Sequence, residues 1–177
     1  MVSIALASIL AAIAIPSYRY LINSGRTSSD MNALLGSLQA AKSEALKRGQ
    51  SVVVCASSTS TVTSGGLPAP TCSTANNWQV GWFTFADTNA NGLFDTGETV
   101  IAVQNALASG STLVASGNTS TVRFNREGFV TNMSTSPNPL VITLTPAGTG
   151  GAAQKRCLAV NFVGRMTVLK AGQGVCT

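Results

Sequence analysis

The sequence predicts an α+β chain in which one long N-terminal helix packs on an antiparallel, β-rich globular domain. Three observations predict it. The run from Met1 to Ile15 (MVSIALASILAAIAI) carries no charge and only Ser3 and Ser8 as polar side chains. After Pro16, residues 17–48 contain no further proline and place Met31, Leu34, Leu35, Leu38, Ala41, Ala45 and Leu46 at the three-and-four spacing of one helical face. From Ser51 onward the pattern changes to short apolar, β-branched runs separated by turn-formers.

Asp30, Asn32, Ser37, Gln39, Lys42, Ser43 and Lys47 fall on the face opposite the apolar stripe. Lys47 and Arg48 suit the negative end of the helix dipole, and Gly49 supplies a C-cap. Pro16 and Gly25 are expected to mark bends or melted turns. At 1.5 Å per residue the uncharged run covers about 22 Å, short of the roughly 30 Å of a bilayer's hydrocarbon core. A buried core helix is one reading of it, but such helices usually keep a polar stripe. A cleaved signal peptide is another, with Ala12-Ile13-Ala14 as the site and a mature terminus near Ile15. No basic region precedes the run, however, and the helical pattern continues past it. The third reading is a membrane segment whose first residues precede Met1, and the continuation favours it. Two separate helices with a linker would be the remaining arrangement.

Eight strand candidates follow: residues 51–56, 78–86, 99–104, 111–116, 120–125, 139–146, 155–162 and 164–171. Asn91-Gly92, Arg126-Glu127-Gly128, residues 136–139 and residues 148–151 are the turn signals between them. Residues 57–75 are a Ser/Thr/Gly/Pro-rich connection. Close spacing and polar turns indicate antiparallel sheet.

Charged residues make up 10% of the chain, the formal charge is +5, and there is no histidine. The commonest general base and metal ligand are therefore missing. Serine and threonine are plentiful but have nothing to activate them. Neither an enzyme nor a small-molecule substrate is expected. Cys55, Cys72, Cys157 and Cys176 form an even set without a CxxC motif. The simplest pairing is local, Cys55–Cys72 and Cys157–Cys176, each bridge closing a loop of roughly 20 residues and stabilising the fold by about 3 kcal/mol. A four-cysteine zinc site is the alternative, although isolated cysteines lack the paired knuckles zinc sites use. Disulfides would imply an oxidising compartment.

An apolar helix, a proline, an amphipathic continuation and a disulfide-bearing β-domain together resemble a type IV pilin or pseudopilin. The stretch ILAAIAIPSYRYLI (9–22) resembles the helix of that superfamily. Within it the chain is most similar to the GspH/FimT/FimU group of minor pilins and pseudopilins. The similarity lies in AAKSEALKRGQSVVVC (40–55), WQVGWFTFADTNANGLFDTGE (78–98), VRFNREGFV (122–130) and CLAVNFVGRMTVLKAGQGVC (157–176). It implies two parts: residues 1–22, a membrane and fibre-core helix, and residues 23–177, the amphipathic helix with the globular pilin domain. By alignment on ILAAIAIP it also implies about six further residues before Met1, which would lengthen the apolar helix to roughly 20 residues, enough to span. The family's processing glycine and assembly glutamate therefore fall on no numbered position here. The resemblance further implies an inner-membrane subunit with a periplasmic head, which later joins a pilus or pseudopilus through helix contacts with other subunits. Ala5, Ala7, Ala11, Ala12 and Ala14 permit such close approach. A type IV pilus minor subunit is the first reading and a type II secretion pseudopilin the second.

Three further features bear on chemistry. Asp87, Asn89, Asn91, Leu93, Asp95 and Glu98 satisfy the EF-hand calcium pattern with Gly92 at the turn. Strand-like segments flank this loop instead of helices, so Asx turns that bond their own backbone are the competing explanation. A basic group near the C-terminus, Lys155, Arg156, Arg165 and Lys170 with Arg123 and Arg126, is a candidate DNA surface. Some FimT-like members bind DNA through a GRxR-like motif, whereas Gly164-Arg165-Met166-Thr167 keeps only the first arginine. Scattered charges that deter strand-edge pairing are the alternative. Trp78, Trp82, Phe83 and Phe85 could form a ligand platform, but core packing is the simpler expectation.

Overall fold

The computed structural model describes the backbone of residues 2–60, 70–133, 139–148 and 151–177, and the side chains of that set from Tyr20 onward. A single helix, α1 (Val2–Arg48), runs for 47 residues, about 70 Å at 1.5 Å per residue. It passes through Pro16 and Gly25 without a melted turn, which removes the two-helix arrangement. The side chains of the apolar run, Pro16 included, lie outside the described residues. Among the described residues no helix is long and apolar enough to cross a membrane. α1 ends as the sequence indicates: Gly49 takes φ +65°, and its N–H reaches the Ala45 carbonyl at 3.0 Å.

Among the described residues eight strands follow, one at each predicted run: β1 (Ser51–Ala56), β2 (Gly81–Asp87), β3 (Val100–Asn105), β4 (Thr112–Ala115), β5 (Thr121–Phe124), β6 (Leu140–Thr145), β7 (Arg156–Val160) and β8 (Met166–Lys170). They form two four-stranded antiparallel sheets, ordered β3-β2-β1-β5 and β4-β6-β7-β8. The largest boundary difference from expectation is at β2. Trp78–Val80 is a 3-10 turn leading into β2, not the start of the strand.

The helix stripe explains why these elements stay together. Met31, Leu34, Leu38, Ala41 and Ala45 are fully buried, at intervals that alternate between three and four residues. Leu46 follows Ala45 by one position, a rotation of about 100°, and is 52% exposed. The stripe meets Val52, Val54, Trp82, Val122 and Phe124 of the first sheet, and Leu113, Ile142, Leu144, Leu158 and Val160 of the second. Burying each of the larger side chains contributes about 2 kcal/mol. Trp78 and Trp82 belong to this core, so they are no ligand platform. Trp78 satisfies its indole N–H on the Thr119 carbonyl at 2.9 Å.

β1 and β2 are buried on both faces. Val53, Cys55, Phe83 and Phe85 make a second, smaller core on the outer face of the first sheet. The Cys55–Cys72 disulfide covers part of it, and Cys157–Cys176 fastens the C-terminal segment to β7, each with Cα atoms 5.5 Å apart. With all four thiols paired, the zinc alternative is removed.

Two sheet edges are closed by amide side chains. Along β5, Asn132 accepts the Arg123 backbone N–H at 2.9 Å and donates to the Thr121 carbonyl at 2.7 Å. Along β4, Asn76 bonds both the N–H and the carbonyl of Ala115, and Gln79 accepts the Leu113 N–H. Such caps remove pairing groups that an unprotected edge would offer to other chains.

Candidate functional site

The predicted calcium residues come together in one loop between β2 and β3, and that loop closes on itself. Asp87, at the end of β2, has a fully buried carboxylate. Its Oδ1 accepts the Asn91 N–H at 3.1 Å, and its Oδ2 accepts the Gly92 N–H at 2.9 Å and the Ser51 hydroxyl at 3.3 Å. Glu98 accepts the Thr88 N–H at 2.9 Å on one oxygen and the Asp95 N–H at 3.0 Å on the other. Asp95 Oδ2 takes the side-chain amides of Asn89 at 2.9 Å and Asn91 at 2.7 Å. The Asn91 side-chain oxygen in turn accepts the Leu93 N–H. These are the Asx turns of the competing explanation. Among the described residues no group of three acidic, cysteine or histidine side chains is placed to hold a metal.

A protein cation sits against the loop instead. Arg123, on β5, donates to the Ala90 carbonyl at 3.1 Å and the Asn91 carbonyl at 2.9 Å, with its Nε 3.9 Å from Asp87 Oδ2. Gly92 has φ +80°, and a Cβ there would stand 1.6 Å from Arg123 Nη2. Only glycine allows that approach. Arg123 is therefore withdrawn from the basic surface in which the sequence placed it. The loop also delivers Phe94 edge-on to Phe83 and Phe85, at centroid distances of 5.4 and 5.1 Å. Phe94 is the lid of the outer core, a role hidden among polar loop residues in the sequence.

The amides of Asn89 first, then Asn91, hold the Asp95 carboxyl below its ordinary value of 3.8. Arg48, then Lys47, do the same to Glu44, whose ordinary value is 4.5. A depressed folded pKa means that the unfolded chain binds more protons in this range. The stabilisation is thus present above the ordinary value and lost as pH falls through the lower, folded one. Below pH 3.8, the melting temperature of Asp95→Asn should fall less steeply with pH than that of the wild type. Equal slopes would place the acid sensitivity on other carboxylates.

The C-terminal basic residues are divided into two places. Arg156 and Lys170 are register partners across β7 and β8. Lys155 lies beside them, its Nζ on the Thr177 carbonyl at 3.0 Å. Arg165 stands at the other end of β8, about 16 Å away at 3.3 Å per residue. Arg126 is exposed beside Glu127, at 3.8 Å.

Near Arg165, a contact the sequence did not reveal joins three elements. Lys42, on the polar side of α1, donates to the carbonyls of Val163 at 3.2 Å and Gly164 at 3.0 Å. Gly164 has φ +70°, and a Cβ there would lie 2.5 Å from the Gly128 carbonyl. The turns at 125–129 and 161–165 thus close around one lysine. Phe129 and Phe162 stack above them, 5.5 Å apart and 14° from parallel. Two glycine-bearing turns were legible, but not their meeting.

These features define a helix-stemmed head whose polar groups hold its own loops and which assembles no nucleophile, base or metal centre among its described residues. The family described as Type II transport protein GspH matches residues 30–164; the chain belongs to this family, and is a minor pilin or pseudopilin of the type IV pilin superfamily. Among solved structures, the type IV minor pilin FimU of Pseudomonas aeruginosa strain PAO1 is similar at 18% identity and a TM-score of 0.53, over 85% of this chain and 92% of that one. The minor pseudopilin EpsH from the Type 2 Secretion System of Vibrio cholerae is similar at 14% identity and a TM-score of 0.53, over 84% of this chain and 99% of that one. At such identities the likeness is one of fold. Among curated protein sequences none matches the chain.

Proposed function

We propose that the chain is a minor subunit of a type IV pilus, of FimT/FimU type, which helps to initiate or cap the fibre. The observation that carries this reading is the stem of α1. The helix enters the core only from Thr27 and Met31 onward, whereas Tyr20 and Leu21 are 55% and 65% exposed. Beyond Pro16, Ser17, Tyr18 and Arg19, the sequence before them is an uncharged, mainly apolar run from Ile15 back to Met1. A helix of that composition requires lipid or neighbouring helices around it, which fits storage in the inner membrane with the head in the periplasm, followed by transfer to a fibre. The role is structural and not catalytic.

A type II secretion pseudopilin is the second reading, favoured by the description of the matching family and by the likeness to EpsH. Deleting the gene in its host and complementing it separates the two. Loss of surface pili with normal exoprotein secretion supports the first reading, and the reverse result supports the second. A deletion that changes neither sinks both.

In this reading the Asp87–Glu98 loop is a structural lid without calcium, because both oxygens of Asp87 and of Glu98 and one of Asp95 are engaged by backbone and amide donors. The melting temperature in millimolar calcium should equal that in chelator. A rise with calcium would show that the carboxylates exchange those donors for the ion.

A further inference from the structure

We propose that the outer edge of β8 is a docking site for an extended, acidic segment of another protein chain, added as a further strand to the second sheet. This deepens the assembly reading above and rests on it only for the kind of partner. The edges of β4 and β5 are closed by Asn76, Gln79 and Asn132. At β8 the alternation of the ladder decides which groups are free. The Asn161 N–H bonds the Arg165 carbonyl, and the Ala171 N–H bonds the Lys155 carbonyl. Between those two bonds the inward-bonding residues are Thr167 and Leu169, opposite Ala159 and Cys157. The N–H and carbonyl groups of Met166 and Val168 therefore point away from β7. Lys170, next in that series, has its N–H taken by Gln173 Oε1 at 2.9 Å. The open stretch is short and bounded, and what it offers is main-chain pairing.

Side chains and charge narrow the occupant. Met166 and Val168 share the helix-side face with their register partners Val160 and Leu158, and Val168 remains 37% exposed. Between β8 and α1 lies a groove of about 420 Å3 lined by Gln39, Lys42, Ser43, Gly164 and Met166. An added strand would place alternate apolar side chains over it. Residues 128–177 contain no Asp or Glu, whereas Lys155, Arg156, Arg165 and Lys170 all lie there. Arg165 and Lys170 bracket the open stretch, so carboxylates near the ends of an incoming strand find opposite charge at both ends.

The test uses the full chain in neutral detergent and a fluorescent ten-residue peptide of alternating valine and threonine with glutamates near both ends. A lysine-ended peptide of the same pattern is the control, and anisotropy is the readout. The acidic peptide should bind saturably and at least about tenfold tighter than the control. Val168→Pro removes an outward N–H that the native ladder does not use. It should weaken binding about tenfold with an unchanged melting curve. Lys170→Glu should shift preference toward the lysine-ended peptide, and it decides the matter if the proline variant fails to fold. No binding, no change in a folded Val168→Pro, or unaltered charge preference in Lys170→Glu overturns the proposal. So does a single-stranded oligonucleotide that displaces the peptide from this edge. Any of these failures leaves the deletion phenotype, and with it the assembly reading, untouched.

Discussion

Asp87→Ala is expected to destabilise the head by about 3 kcal/mol, because it leaves a buried N–H without its acceptor and a partly buried cation without its counter-charge. The carboxylate has no exposed surface, accepts three hydrogen bonds and lies 3.9 Å from Arg123 Nε. Its loss is not confined to electrostatics. The Gly92 N–H that it holds sets the turn from which Phe94 reaches Phe83 and Phe85, so the outer core of the first sheet opens as well. Asp87→Asn keeps the shape and some of the bonds, and should fall between alanine and wild type. Urea unfolding of the full chain in detergent at neutral pH measures both. A loss below about 1 kcal/mol for alanine would show that the Ala90 and Asn91 carbonyls hold Arg123 without help.

Replacing Cys55 and Cys72 together by alanine is expected to have the next largest effect, about 3 kcal/mol from loop-closure entropy with a further loss from packing. The two bridges span similar lengths, with sequence separations of 17 and 19. Chain entropy alone therefore predicts nearly equal losses for the two pairs. Packing distinguishes them. Cys55 is fully buried near the end of β1 beside Phe83 and Phe85, and Cys72 caps that cluster, whereas Cys157–Cys176 holds the C-terminal segment. Thermal melts of the two double variants should show the larger drop for the first pair. Equal drops would mean that the outer core keeps its packing without the bridge.

How much of this was legible follows from the range of each interaction. The eight strands and the stripe from Met31 to Ala45 could be read because a side-chain period is local. Gly49 and the basic last turn ended the helix for equally local reasons. The second core could not be read. In β2, Phe83 and Phe85 face away from the helix and look like ordinary alternation, and their partner Phe94 sits in a loop that matches a calcium pattern residue for residue. Arg123 shows the same limit: its charge was evident, but its engagement with a loop some 30 residues earlier is a tertiary fact. Lys42 was assigned to solvent by helical phase alone, although it holds the turn at 161–165, more than 100 residues later in the chain.

The position of the stripe on α1 has a mechanical consequence. Tension applied to the stem is directed along the helix axis, and Met31, Leu34, Leu38, Ala41 and Ala45 lie in a row along that same axis. Their contacts are loaded together in shear instead of being peeled apart one at a time. Lys42, tied across to the Val163 and Gly164 carbonyls, adds a cross-brace near the far end of the row. Extraction of the stem from the head along this axis loads these contacts together, so the joint is strongest in that direction.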